Sequence, residues 1–87
     1  MDMIKGIKLG PRVTSVIPLE NYILKIGFNN NEFRLFDAKK IYNLPCFKPL
    51  KQKEIFNTVH VEYGSIAWVN DIDYCPDTLY QESIPYK

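Results

Sequence analysis

The densest group of side chains that could do chemistry lies in residues 66–80, IAWVNDIDYCPDTLY. Every second position from 71 to 77 carries a carboxylate or a thiol, a pattern that superficially resembles an oxygen-rich calcium loop. A helix–loop–helix calcium loop that began at Asp71 would need glycine at its sixth position, where this chain has Pro76. The pattern therefore predicts no specific metal site, and no cofactor is expected.

Catalysis by a cysteine needs a nearby base, and the only histidine is His60. Because His60 lies on the polar face of a predicted strand, we expect it to be a surface residue. The chain has neither a GxGxxG nor a GxxxxGK[ST] phosphate-binding loop. We therefore expect no enzyme. A small metal-dependent enzyme or sensor, based on the aspartates alone, is the weakest alternative.

The two cysteines, Cys46 and Cys75, have no CxxC spacing and therefore match neither a zinc site nor a disulfide framework. Free cysteine is among the residues most often buried in protein cores. We expect both to be reduced, small apolar residues of the core.

Composition predicts one globular domain over residues 1–87. The apolar fraction is 46%, and five Phe, six Tyr and one Trp give an aromatic core, which disordered chains lack. No apolar run approaches the roughly 18–20 residues that span a bilayer. Residues 1–12 have no apolar stretch of the signal-peptide kind. A cytoplasmic location without membrane contact is expected.

Alternating apolar residues predict two hairpins. In residues 21–37 Tyr22, Leu24, Ile26 and Phe28 alternate on one face, and Phe33 and Leu35 alternate on the return strand. Residues 59–69 form the second hairpin, with its turn expected at Gly64-Ser65.

Strand and helix signals complete the predicted order. A first strand is expected before Pro18, a short helix capped by Asp37 and a final helix started by Pro76. The order β-β-β-α-β-β-α indicates an α+β fold, an antiparallel sheet with short helices on one face.

Charge is unevenly distributed. Residues 1–57 carry ten Lys/Arg and five Asp/Glu, whereas residues 58–87 carry one Lys and five Asp/Glu. The basic half includes a cluster interleaved with Tyr42 and Phe47, namely Lys39, Lys40, Lys48, Lys51 and Lys53. Basic residues with interleaved aromatics can bind single strands, although such binders usually carry a strong excess of positive charge. A nucleic-acid-linked regulatory accessory domain is therefore the second alternative.

The chain resembles a small bacterial family catalogued as domain of unknown function 2442. The motifs are Phe-Asp before a short helix, Phe-x-Pro-Leu, Trp-x-Asn-x-x-Asp and Pro-Asp-Thr-Leu-Tyr, here at Phe36-Asp37, Phe47–Leu50, Trp68–Asp73 and Pro76–Tyr80. The resemblance implies an α+β fold in a bacterial cytoplasmic protein with no established activity. It further implies a neighbouring small gene, as in toxin–antitoxin pairs. Some members are fused to a helix-turn-helix domain, for which this chain is expected to end too soon.

These observations favour a structural role for residues 66–80 over a catalytic or metal-binding role. The aspartates are expected to end a strand and start a helix, and a carboxylate could accept from the Trp68 indole. The leading hypothesis is a non-catalytic, antitoxin-like or regulatory interaction module with a protein partner, which pairs weakly with itself through a sheet edge or an open face. Candidate contacts are the tryptophan, the tyrosines and the polar turn, namely Trp68, Asn70, Asp71, Asp73, Tyr74 and Tyr80.

Overall fold

A computed structural model describes residues 11–86 of the chain. It contains seven strands, namely β1 (Val13–Pro18), β2 (Ile23–Phe28), β3 (Phe33–Asp37), β4 (His60–Glu62), β5 (Ser65–Trp68), β6 (Ile72–Tyr74) and β7 (Ile84–Pro85). Two short α-helices are present, α1 (Lys53–Phe56) and α2 (Pro76–Glu82). Single 3₁₀ segments cover Glu20–Tyr22, Ala38–Lys40 and Pro45–Lys51. The N-terminal residues 1–12, which are expected not to be a signal peptide, lie mostly outside the described residues.

The predicted α+β fold with antiparallel strands and short helices is confirmed. The strands divide between two sheets, a four-stranded sheet in the order β1-β2-β3-β7 and a three-stranded sheet in the order β4-β5-β6. Strands β6 and β7 were not expected from the sequence, because two or three residues are too few to show an alternating pattern. Among the described residues no helix is long and apolar enough to cross a membrane.

One core lies between the two sheets and the helices. The inner face of the four-stranded sheet contributes Leu24, Ile26 and Phe36, all fully buried. Ile66 and Trp68 from β5 and Leu79 from α2 join the same cluster. The three-stranded sheet and both helices therefore pack against one face of the larger sheet, and no element of residues 11–86 covers its other face.

The turns follow local residue preferences, but two differ in detail from the sequence-based expectation. Asn31 adopts the left-handed conformation (φ 69°) in the β2–β3 loop, as asparagine tolerates better than most residues. The β4–β5 turn consists of Tyr63 and Gly64, both with positive φ, rather than the expected Gly64-Ser65. Asp37 caps its segment as predicted, because its carboxylate accepts from the Lys39 backbone N–H, but that segment is a 3₁₀ turn.

Candidate interaction surfaces

Trp68 belongs to the core. Its side chain is almost fully buried on the inward face of β5, and its indole N–H donates to the backbone carbonyl of Phe56 at 3.1 Å. The sequence suggested a carboxylate as acceptor, but the loop that carries the aspartates turns away from the core. In this fold the ring stabilises the packing of α1 on β5, and it is not available to a partner as the sequence had suggested.

The polar turn after β5 is exposed, as predicted. Asn70 and Asp71 both have positive φ, 67° and 60°, which these residue types tolerate better than most. Asp73 follows on the outward side of β6, directly opposite Ala67 in the register. These three residues line a shallow groove of about 240 Å³ together with His60 and Glu62.

His60 and Glu62 give this groove its one ion pair. The ring nitrogen Nε2 lies 2.9 Å from the Glu62 carboxylate, and Nδ1 lies 2.9 Å from the Thr58 carbonyl oxygen. These two contacts raise the pKa of His60 above its ordinary value, the carbonyl more than the carboxylate. Among residues 11–86, no three His, Cys, Asp or Glu side chains are placed to hold a metal ion.

The two candidate tyrosines are half-buried and connect elements of the fold. The Tyr74 ring packs against Phe36 and Phe47, with centroids 5.4 and 5.5 Å apart, and its burial raises its pKa. The Tyr80 hydroxyl donates to a Glu32 carboxylate oxygen at 2.8 Å. Both rings therefore hold the β6–α2 segment against the larger sheet and expose only part of their surface.

A network that the sequence did not reveal surrounds Tyr80. Arg34, on the inner face of β3, donates to the Ser83 hydroxyl and carbonyl oxygens, both at 2.7 Å. It also donates to Glu32 at 3.1 Å, and its guanidinium lies 4.3 Å from the centroid of the Tyr80 ring. Because Ser83 follows α2 and precedes β7, this network fixes both elements to β3.

Both cysteines are exposed, and the expectation that they belong to the core is wrong. Cys46 lies on the 3₁₀ segment of residues 45–51, and Cys75 is the residue that precedes α2. Hydrogen bonds from the backbone and hydroxyl of Thr78 lower the pKa of Cys75. Cys75 and His60 line two neighbouring grooves that share Glu62, Ala67 and Asp73.

An exposed apolar area lies on the outward side of the four-stranded sheet. Strand register places Ile17, Lys25, Leu35 and Ile84 in one row across β1, β2, β3 and β7. Phe33 lies in the next row, over Gly27, whose missing side chain leaves room for the ring. We call this surface the open face, formed by Ile17, Lys25, Phe33, Leu35, Ile84 and Tyr86.

Exposure of the open face is unusual for apolar side chains. Ile17 is 51% exposed, Phe33 49%, Ile84 60% and Tyr86 48%. The sequence predicted alternation of Phe33 and Leu35 but not their side of the sheet. Phe36 pairs with the buried Leu24 and therefore points toward the core. Leu35 and Phe33 in the same strand point to the opposite side of the sheet.

The lysine cluster divides between paired and unpaired side chains. Lys39 lies 3.0 Å from Asp37, and Lys40 lies 3.6 Å from Glu82. Lys51 instead places its ammonium 5.4 Å from the centroid of the Tyr42 ring.

A pocket of about 520 Å³ opens beside these lysines. Its lining includes Lys39, Lys53 and the rings of Tyr22 and Tyr42, whose centroids lie 5.3 Å apart. The pocket thus combines positive charge with aromatic surface.

The chain is similar in sequence and fold to a solved structure. No curated protein matches the chain. A solved structure that is similar comes from Nitrosomonas europaea and is described as that of a putative DNA-binding protein. It is 27% identical with a TM-score of 0.75, and the similarity covers 86% of this chain. This chain spans half the length of that one.

The family described as "Protein of unknown function (DUF2442)" matches residues 13–85. That range includes every described strand and helix, and it contains all four motifs on which the sequence resemblance rested. The chain therefore belongs to this family of proteins of unknown function.

Proposed function

We propose that this protein is a non-catalytic interaction module that binds a protein partner through the open face, as an antitoxin-like or regulatory subunit. The observation that supports the proposal is the contiguous exposure of Ile17, Phe33, Ile84 and Tyr86 on one side of a sheet. Exposed apolar patches of this kind mark interaction sites more often than isolated apolar residues do. The proposed location is the cytoplasm.

The proposed partner is a different protein rather than a second copy of the chain. Lys25 lies in the second of the four strands, at the middle of the open face. Two copies packed face to face would bring two ammonium groups together while they lose water, which is unfavourable.

Prolines at the edges of the four-stranded sheet also favour partner binding at the open face over addition of a partner strand to an edge. Pro18 ends β1, and Pro85 occupies one of the two positions of β7. Proline lacks the N–H that an added strand would pair with. The Val13–Ile17 edge suggested by the sequence is therefore the weaker candidate, whereas the 59–69 edge carries no proline and stays a prediction.

Two single substitutions test the proposal. Ile17→Asp and Ile84→Asp each place a charge on an exposed position of the open face, and circular dichroism should stay unchanged. Tyr63→Asp is the matched control, because Tyr63 is 93% exposed in the β4–β5 turn, away from the face. In affinity capture from the native host, we expect a stoichiometric partner with wild type and Tyr63→Asp that is lost with both isoleucine variants.

Equal capture by all four proteins, or capture of no protein by wild type, contradicts the proposal. Light scattering of the isolated protein gives a second measurement. A stable dimer that both isoleucine variants dissociate would assign the open face to self-association instead.

A second candidate function is that of a nucleic-acid-linked accessory domain. The basic and aromatic pocket beside Tyr22 and Tyr42 favours it, because lysines and exposed rings together bind single strands. The similar protein from Nitrosomonas europaea, described as a putative DNA-binding protein, is consistent with this alternative.

Fluorescence anisotropy with labelled (dT)₁₂ and a 12-base-pair duplex tests it. Binding that weakens strongly between about 50 and 200 mM salt is the mark of phosphate contacts. Lys51→Glu and Lys53→Glu should abolish such binding, whereas Lys25→Glu should leave most of it. Absence of binding at low salt excludes this function for the isolated domain.

A further inference from the structure

Lys25 is the one charged residue among the six that form the open face. In the row that crosses the sheet, Lys25 lies between Ile17 on β1 and Leu35 on β3, with Ile84 beyond. The other five members are apolar or aromatic. On the same side of the sheet, the next row pairs Ile23 with Asp37, whose carboxylate lies 3.0 Å from the Lys39 ammonium. A cation inside an apolar surface is a strong constraint on what can cover that surface.

Two aromatic rings hold the Lys25 side chain over the sheet. Its ammonium nitrogen lies 4.5 Å from the centroid of the Tyr86 ring and 5.3 Å from that of Phe33. Such contacts orient the ammonium and cover its aliphatic stem, but they do not neutralise its charge. Within residues 11–86, no carboxylate lies within ion-pair distance of Lys25.

Covering the open face would remove this ammonium from water. A buried charge without a partner is strongly unfavourable, whereas the same charge with a well-placed carboxylate is tolerated and gives specificity. An apolar surface alone is therefore a poor occupant, and a surface with a central lysine or arginine is a worse one.

We propose that the open face recognises a protein segment in which one Asp or Glu, flanked by large apolar side chains, meets Lys25. The inference rests on the proposed function, since it names the chemistry of the partner for the same surface. Ile17, Phe33, Ile84 and Tyr86 supply apolar contact around the ion pair. The ammonium selects the partner by the sign of its central charge.

Selection from a displayed library of random 12-residue peptides tests this inference without a known partner. Wild-type protein should enrich peptides with one acidic residue between apolar residues. Lys25→Glu should enrich peptides with a basic residue at that place. Lys51→Glu is the matched control, because Lys51 also lies over an aromatic ring but away from the open face. It should select the same acidic peptides as wild type.

Affinity measurements on one enriched acidic peptide make the test quantitative. We expect Lys25→Ala to weaken its binding by at least about 30-fold, because removal of one member of a desolvated ion pair usually costs that much or more. Replacement of the acidic residue of the peptide by its amide should weaken binding to wild type similarly and binding to Lys25→Ala much less.

The outcomes separate the two proposals. Wild type could instead enrich apolar peptides that have no preferred acidic residue and that no longer bind Ile84→Asp. This outcome would overturn the role of Lys25 and leave the interaction surface in place. Peptides whose binding is unaffected by both Ile17→Asp and Ile84→Asp, or no enrichment at all, would overturn the proposed function itself.

Discussion

Arg34→Ala tests whether the guanidinium network holds the C-terminal elements on the sheet. The Arg34 side chain is 14% exposed and donates two hydrogen bonds of 2.7 Å to Ser83, which follows α2. Its third bond, to Glu32, reaches a carboxylate that is 44% exposed, so solvent screens that contact and it adds little. The loss should therefore arise mainly from the Ser83 bonds and from packing on Tyr80.

The expected magnitude follows from these contacts. Hydrogen bonds with a charged donor contribute about 1.5–3 kcal/mol each, and an arginine–aromatic stack adds about 0.5–2 kcal/mol. The conformational entropy that the arginine side chain loses on folding offsets about 2 kcal/mol of this stabilisation. We therefore expect Arg34→Ala to lower the free energy of unfolding by about 1.5–6 kcal/mol, a range that includes the larger effects of single substitutions.

Urea and thermal denaturation followed by circular dichroism measure this loss. For a domain of this size, 1 kcal/mol corresponds to a change in melting temperature of roughly 4–8 °C. Arg34→Lys should restore only part of the stability, because an ammonium cannot reproduce the planar fork that reaches both Ser83 oxygens. Lys48→Ala, at an exposed position, is the control and should stay within about 0.5 kcal/mol of wild type.

A double-mutant cycle with Ser83→Ala assigns the effect to the pair. Residues in direct contact should show an interaction energy of at least about 0.5 kcal/mol. The reasoning is refuted if Arg34→Ala costs no more than the Lys48 control, or if Arg34→Lys is as stable as wild type. Because β7 follows Ser83, Arg34→Ala should also weaken peptide binding to the open face.

Three further predictions concern single positions. Gly27→Ala should destabilise the fold by about 1 kcal/mol in urea, because the added Cβ would lie 2.5 Å from the Ser15 hydroxyl oxygen, which can rotate away, and 3.0 Å from the Phe33 ring, which must shift; Ser15→Ala should recover part of this loss. NMR titration should give His60 a pKa above its ordinary value, and this pKa should fall in Glu62→Gln. The protonated ring gains its two partners only on folding. Its contribution to the free energy of unfolding is therefore fully present below about pH 6.5 and is lost as the pH rises through the folded pKa. Cys75 should react with iodoacetamide at pH 7.5 several-fold faster than the other thiol, as followed by mass spectrometry, because hydrogen bonds to its sulfur lower its pKa; equal rates would contradict this.

Local sequence determined the elements whose signals lie within a few residues. Pro76 predicted the start of α2, and Asp37 predicted a cap, because both act on neighbouring backbone groups. The alternation of Leu24, Ile26 and Phe28 identified the buried face of β2, because side chains on a strand point alternately to its two sides.

Only the tertiary structure decided how these elements meet. Pairing of Leu24 with Phe36 set the buried side of β3 and thereby placed Phe33 and Leu35 outward, since one residue of register reverses every side chain. The acceptor of the Trp68 indole, the two sheets and the short strands β6 and β7 likewise depend on partners distant in sequence.

The surfaces that carry both proposals belong to this second group. Ile17, Lys25, Phe33, Ile84 and Tyr86 come from four strands and the residue after the last, and no local pattern relates them. Spacing along the chain could indicate that each strand exists. Hydrogen-bond register across the sheet, fixed by burial of the opposite face, brought a lysine to the centre of an exposed apolar surface.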